Sequence, residues 1–210
     1  EDLAILGGLG KLRGLNVPVM LIGHEKGNDT ASRVRHNFGM GRPEGYRKAA
    51  RLVELAARFN VPVITLVDSA GAYPGVDGEA RGQAEAIARA TAAFLGAPVP
   101  IITAINGAAA GVGCSIGLAG DFVIAGKSGY FLQAFVNIGL VPDGGASWML
   151  PRMVGKARAT EMMMLGEKIH AEEAERIGLI YKCVEDDALT AEAEALAARL
   201  ATGPTVALGL

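Results

Sequence analysis

Three glycine- and alanine-rich segments follow predicted strands and carry the residues best suited to chemistry. They are residues 68–79 (DSAGAYPGVDGE), 106–121 (NGAAAGVGCSIGLAGD) and 137–152 (NIGLVPDGGASWMLPR). Small residues let a ligand approach the backbone, and free N–H groups at a helix start are preorganised donors for an oxyanion. Val112 and Gly113 are candidate donors of this kind. Ordinary strand–turn–helix junctions and tightly packed helices use the same residue types, so both interpretations stay open.

Asp143 is the candidate proton-transfer group, because it is a lone carboxylate between Pro142 and Gly144 in an apolar stretch. An apolar setting raises the pKa of an aspartate and suits it to act as a base. Aspartate before glycine is also common in turns and as a helix N-cap, which is the alternative.

Nucleotide-binding loops are excluded by spacing. After Gly111 and Gly113, a dinucleotide fingerprint needs a glycine where Ile116 stands. Between Gly120 and Gly126 lie five residues, whereas a phosphate loop has four. Cys114 and Cys183 are far apart and form no metal-ligand pattern, so we expect no bound metal.

Composition limits the class of protein. The 210 residues carry a net charge of −2, which gives no global case for nucleic acid as a partner. Residues 24–58 are locally basic, with eight Lys/Arg against four acids; they suit either a phosphorylated ligand or a solvated face. No apolar run is long enough to span a bilayer and no leader opens the chain, so the expected compartment is cytoplasmic, without a membrane partner.

The elements that must position these segments alternate between strand and helix. Apolar, β-branched runs predict strands at residues 17–23, 61–68, 99–107 and 121–126. Helical patterns cover residues 44–59, 78–95 and 111–118, and later residues 147–154, 157–165, 171–177 and 188–200. This order predicts an α/β fold with right-handed β-α-β crossovers, and we expect residues 1–210 to form a single domain.

Two family resemblances divide the chain. Residues 1 to about 95 resemble the carboxyltransferase α subunit of bacterial acetyl-CoA carboxylase, most specifically in NFGM with PEGYRKA (residues 37–40 and 43–49) and GAYPG with EARGQ (residues 71–75 and 79–83). Residues from about 97 to 210 resemble the enoyl-CoA hydratase/isomerase (crotonase) superfamily, through VPIITAINGAAAGVGCSIGLAGDFVIA and GLVPDGGASWMLPR. That second part looks closest to phenylacetate-pathway isomerases.

Both resemblances imply the crotonase fold, a spiral of ββα units with a helical C-terminal part, here with its last helices truncated. In that fold two backbone N–H groups polarise a CoA thioester carbonyl. The resemblance puts these groups at Ala72 and Val112 or Gly113. It implies contacts of the CoA ester with five further residues: Ala70, Gly71, Tyr73, Gly111 and Phe135. Asp143 matches the isomerase base, whereas Ser115 and Phe135 stand where hydratases have glutamates.

Three functional hypotheses follow. The first is an enoyl-CoA isomerase-type enzyme that uses Asp143 and a backbone oxyanion hole. The second is a carboxyltransferase α-subunit-like protein that works with a zinc-bearing β subunit. The third is a catalytically silent recombinant or chimeric scaffold. In each, the expected ligand is an acyl-CoA thioester with no permanently bound cofactor, and family resemblance implies a homo-oligomer, a trimer or hexamer.

Overall fold

The computed structural model describes residues 2–12 and 16–203. In these ranges the strands are β1 (Ile5–Lys11), β2 (Pro18–His24), β3 (Val63–Ser69), β4 (Ile101–Ala110), β5 (Phe122–Gly126), β6 (Tyr130–Leu132), β7 (Ile169–His170) and β8 (Lys182–Val184). The α-helices are α1 (Thr30–Arg35), α2 (Pro43–Phe59), α3 (Val76–Ala80), α4 (Gln83–Leu95), α5 (Val112–Gly117), α6 (Ala146–Leu165), α7 (Ala171–Arg176) and α8 (Leu189–Ala201). Three 3₁₀ segments cover Asn37–Gly39, Ala134–Ile138 and Asp186–Ala188. Residues 204–210, the end of the segment that resembles enoyl-CoA isomerases, lie outside the described part.

One sheet in the order β1-β2-β3-β4-β5-β8 runs through the protein. β1 is antiparallel to β2, and the remaining neighbours on this path are parallel. β6 pairs with the last residues of β4, and β7 pairs with β6. Parallel neighbours joined by helices place the carboxyl ends of β3 and β4 side by side, where ligands gather in open α/β sheets. The α/β prediction is confirmed.

Both faces of the central strands are covered, which explains their continuous apolar sequences. On one face Val63 and Ile101 pack with Val53 of α2 and Ala90 of α4. On the other face a cluster joins three strands to α8: Ile64, Ile102, Ile124, Leu189 and Ala193. A third cluster packs α6 and α7 beneath β4, β5 and β6.

The structure differs from the sequence expectation in several elements: β1, β6, β7, β8 and α1 were not predicted, and one predicted helix is divided. β1 was missed because Gly7, Gly8 and Gly10 dilute its apolar pattern. The predicted helix over residues 78–95 is two helices, because Gly82 adopts a φ of +80° and separates α3 from α4. The two helices predicted over residues 147–154 and 157–165 correspond to the two halves of α6, which Gly155 separates with a non-helical φ of +77° and ψ of +165°.

Candidate active site

Two glycine turns face each other where β3 and β4 end. Gly71 follows β3 with a φ of +139°, and Gly111 follows β4 with φ +54° and ψ −128°. A Cβ added to Gly111 would lie 3.9 Å from the Gly71 Cα, so the two backbones approach closely. Neither conformation suits an L side chain, which explains why glycine occupies both positions.

Each turn is held by hydrogen bonds. The buried Ser69 hydroxyl accepts from Gly71 N at 3.2 Å and lies 2.8 Å from the Gly39 carbonyl oxygen, to which it donates. Tyr73 N donates to Gly41 O at 3.0 Å, and Gly111 N donates to Leu132 O at 2.8 Å. These bonds fix the backbone at Gly71 and Tyr73, on either side of Ala72, and at Gly111, just before Val112.

Ala72 and Val112 keep their N–H groups free of protein acceptors within the described residues. Both residues line one cleft between the two turns. Val112 is the first residue of α5, so its N–H has no acceptor inside the helix. Gly113, the other predicted donor, is outside the cleft lining, and a Cβ placed there would lie 3.4 Å from Ser69 Cβ.

The cleft has an empty volume of about 950 Å³, including the part open to solvent. Its walls include eight of the residues singled out in the sequence: Ala70, Gly71, Ala72, Tyr73, Gly111, Val112, Phe135 and Asp143. The structure thus brings residues from three distant segments into one site. Their roles in binding or catalysis stay predictions.

Asp143 enters the cleft from the turn before α6. Its backbone oxygen accepts a hydrogen bond from the buried Ser115 hydroxyl at 3.1 Å, which ties the turn to α5. Its carboxylate has no hydrogen-bond or ion-pair partner among the residues that the structure describes. Desolvation by the surrounding protein raises the pKa of Asp143 above the usual aspartate value, although the residue as a whole is exposed to solvent.

Sequence reasoning missed a second group of cleft residues. Glu79, Gln83 and Ile87 line the cleft from α3 and α4, and Ile138 and Leu140 line it from the opposite side. The four-residue spacing of Gln83 and Ile87 was the available signal, since such residues share one helix face.

Charged residues form a network at one edge of the cleft. Arg42 stacks on the Tyr73 ring, with 4.2 Å from Cζ to the ring centroid, and pairs with Asp77 at 3.0 Å. Arg81 pairs with Glu44 at 2.7 Å. Several cations of the basic segment are thus engaged with protein groups, while Arg33 and Arg35 are exposed on α1.

Two further findings concern the described part of the chain. It holds no group of three or more His, Cys, Asp or Glu side chains arranged to bind a metal ion. None of its helices is both long and apolar enough to cross a membrane.

Comparison with known proteins gives the family. The family model for acetyl co-enzyme A carboxylase carboxyltransferase-like proteins matches residues 1–204. The chain belongs to this family. It is 45% identical over 206 residues to the acetyl-coenzyme A carboxylase carboxyl transferase subunit alpha of Caulobacter vibrioides (strain NA1000 / CB15N), covering 98% of this chain and 61% of the relative. The protein of the same name from Erythrobacter litoralis (strain HTCC2594) is 64% identical over 147 residues, 70% of this chain and 44% of the relative.

Solved structures show the fold. An enoyl-CoA hydratase from Mycobacterium avium subsp. paratuberculosis K-10 superposes with a TM-score of 0.84 at 29% identity, covering 100% of this chain and 82% of that one. A putative enoyl-CoA hydratase/carnithine racemase from Magnetospirillum magneticum AMB-1 gives 0.80 at 26% identity, covering 100% and 80%.

The predicted crotonase fold and the resemblance to both families are confirmed. The carboxyltransferase match continues past residue 95, across the part that also resembles enoyl-CoA isomerases. The chain spans less than two thirds of the length of the curated relatives that it matches.

Proposed function

We propose that this chain is an α-type unit of a biotin-dependent acyl-CoA carboxyltransferase. It binds a CoA thioester in the cleft, with the thioester oxygen between the N–H groups of Ala72 and Val112. The observation that carries the proposal is the pair of free donors on facing glycine turns. Family membership favours carboxyl transfer over the other reactions of this fold.

The N–H groups of Ala72 and Val112 suit the negative charge that develops on the thioester oxygen during carboxyl transfer. Loss of a proton from the thioester α-carbon places negative charge on the carbonyl oxygen. The α-carbon then forms a bond to the carboxyl carbon of carboxylated biotin, and the carboxyl C–N bond breaks. Its electron pair returns to the biotin nitrogen, which takes up the proton that the α-carbon lost. Fixed N–H donors stabilise such an oxygen, and losing one donor reduces turnover by about 10²- to 10³-fold.

A second subunit is part of this proposal. Exposed apolar side chains occur at and near the cleft: Ile138 and Leu140 belong to its lining, Val141 follows Leu140, and Val76 lies two residues after the lining residue Pro74. Val76 is 85% exposed and Val141 is 82% exposed. Exposed apolar side chains near a ligand cleft are typical of protein interfaces, and a carboxyltransferase β subunit is the partner that we propose. A homotrimer or hexamer is the competing assembly, and light scattering with and without a β subunit separates the two.

The decisive experiment removes one donor without removing a side-chain function. Val112→Pro lacks the N–H group, and proline is well tolerated at the first position of a helix. Val112→Ala truncates the side chain but keeps the N–H group. With a β subunit present, we expect Val112→Pro to reduce carboxyl transfer from carboxylated biotin to acetyl-CoA by about 10²-fold or more, and Val112→Ala by less than about tenfold. Equal effects of both changes would contradict the assigned donor.

An isomerase is the second candidate, and the raised pKa of Asp143 beside the donors favours it. In this reaction Asp143 moves a proton between carbons of an enoyl-CoA while the donors hold the enolate. Deuterium exchange into a 3-enoyl-CoA, followed by NMR in D2O, tests it with wild type beside Asp143→Asn. Exchange that disappears in the variant supports the isomerase. Folded protein that neither exchanges nor transfers a carboxyl group is the silent scaffold.

A further inference from the structure

Asp68 occupies an irregularity in the sheet just before the site. Val67 pairs with Ile105, but the next paired residue of β3, Ser69, lies opposite Ala109. One residue of β3 therefore faces three residues of β4. Bulges of this kind bend a strand and re-aim the residues that follow it, and they are frequent next to active sites.

The Asp68 carboxylate fills this irregularity. Its Oδ1 accepts a hydrogen bond from Ala108 N at 3.1 Å. Both carboxylate oxygens lie 2.7 Å from Lys26 Nζ, which reaches them from the loop after β2. Gly107 leaves the necessary space, because a Cβ there would lie 2.6 Å from Oδ1. Asp68 thus joins β3 to β4 and to the loop after β2.

The position of this junction relative to the donors is informative. Ala72 is four residues after Asp68, and Val112 is four residues after Ala108. The Ala108–Asp68 hydrogen bond therefore joins the two strands one short turn before each donor. We propose that Asp68 is a positioning residue that sets the separation of the Ala72 and Val112 N–H groups, and that Lys26 holds its carboxylate in place.

This inference rests on the proposed function only for its kinetic consequence. Donors must lie about 2.7–3.1 Å from the developing oxyanion, and a displacement of about 1 Å reduces turnover by about 100-fold. Because the bond acts on the donors and not on the rest of the ligand site, its loss should lower kcat more than it raises KM for the thioester, and KM should rise by no more than about tenfold.

Two double variants separate the hydrogen bond from the ion pair. Lys26→Met/Asp68→Asn removes both charges but keeps an amide oxygen for Ala108 N. Lys26→Met/Asp68→Leu removes both charges and the acceptor. Asp121→Leu is the matched control, since Asp121 Oδ2 accepts from Ile101 N at 2.8 Å at the other end of the same strand.

The first readout is ¹H–¹⁵N NMR of the unliganded protein. Large chemical-shift changes at the Ala72 and Val112 amides are expected in Lys26→Met/Asp68→Leu, with small changes in Lys26→Met/Asp68→Asn and in Asp121→Leu. The second readout is carboxyl transfer with a β subunit. Lys26→Met/Asp68→Leu should lose about 100-fold in kcat, with a rise in KM of no more than about tenfold. The asparagine variant should lose about threefold in kcat. Asp121→Leu should keep the wild-type rate.

Unmoved Ala72 and Val112 resonances in Lys26→Met/Asp68→Leu would overturn the positioning role, whatever the kinetics. If wild type transfers no carboxyl group, the proposed function fails, and the NMR comparison still decides the role of Asp68. If the leucine variant does not fold, Gly107→Ala replaces it. Its Cβ displaces the carboxylate while both charges remain, and the same resonances should shift; their constancy would refute the inference.

Discussion

Gly111→Ala and Gly155→Ala form a matched pair that tests the facing turns. Gly111 has φ +54° and ψ −128°, and Gly155 has φ +77° and ψ +165°; both conformations disfavour L side chains. Neither site is crowded. A Cβ at Gly111 would meet only Phe135 Cζ at 3.8 Å and Gly71 Cα at 3.9 Å, and one at Gly155 would meet nothing within 4 Å. The penalty is therefore one of backbone conformation alone.

We expect each change to reduce the free energy of unfolding by about 1–3 kcal/mol. For a chain of this size, about 2 kcal/mol corresponds to a fall in Tm of about 4–8 °C. The two variants should differ in ligand binding. Relief of strain at Gly111 re-aims the Val112 N–H group in the cleft, whereas Gly155 lies in the kink of α6, outside the cleft lining.

Denaturant unfolding and calorimetric titration with acetyl-CoA measure both quantities on the same samples. Loss of a hydrogen bond to a polarised oxygen should weaken binding by about tenfold in Gly111→Ala, and Gly155→Ala should stay within about twofold of wild type. Equal affinity of both variants, at equal destabilisation, would show that the Gly111 turn does not present a donor to the ligand.

Three further predictions concern single groups. Desolvation raises the pKa of Asp143, so ionisation of this carboxyl opposes folding. The free energy of unfolding, measured relative to Asp143→Asn, should therefore fall as pH rises from about 4 through the raised pKa. A rise over this pH range would contradict the prediction. Burial raises the pKa of Cys114 to about 12, so a disulfide reagent should label only Cys183 in the native protein; native labelling of Cys114 would refute it. A Cβ at Gly120 would overlap the buried Thr103 hydroxyl, so Gly120→Ala should lower the free energy of unfolding in urea by about 1–3 kcal/mol. Adding Thr103→Ala should relieve part of this overlap, so the double variant should lose less stability than the sum of the two single variants. Strictly additive losses would contradict the overlap.

The sequence was sufficient for the strands that carry the site. β3 and β4 were predicted close to their observed ends because their apolar runs are continuous and end in glycine-rich turns. Asp143 stood out because it is a lone acid among apolar residues, and the structure does place it in the cleft. These features depend on residues close together in the sequence, so the sequence alone predicts them.

Other features depend on contacts between distant segments. Val112 and Gly113 were equivalent candidates in the sequence, and only the packing of Gly113 on Ser69 separates them. Ser115 supports the Asp143 turn through a bond across 28 residues, and Asp68 reaches Ala108 across 40 residues. No periodic pattern in the sequence predicts such pairs, because each depends on how distant segments pack against one another.

The sequence alone determined the class of fold, the family and the glycine- and alanine-rich turns where a ligand can approach the backbone. Those properties follow from residue types taken in order along the chain. The tertiary structure decided which residues with free N–H groups line the cleft, which carboxylate lies in its wall, and how Asp68 joins β3 to β4. Those properties depend on angles and distances of a few ångströms between segments far apart in sequence, and these are set only when the sheet and its helices pack together.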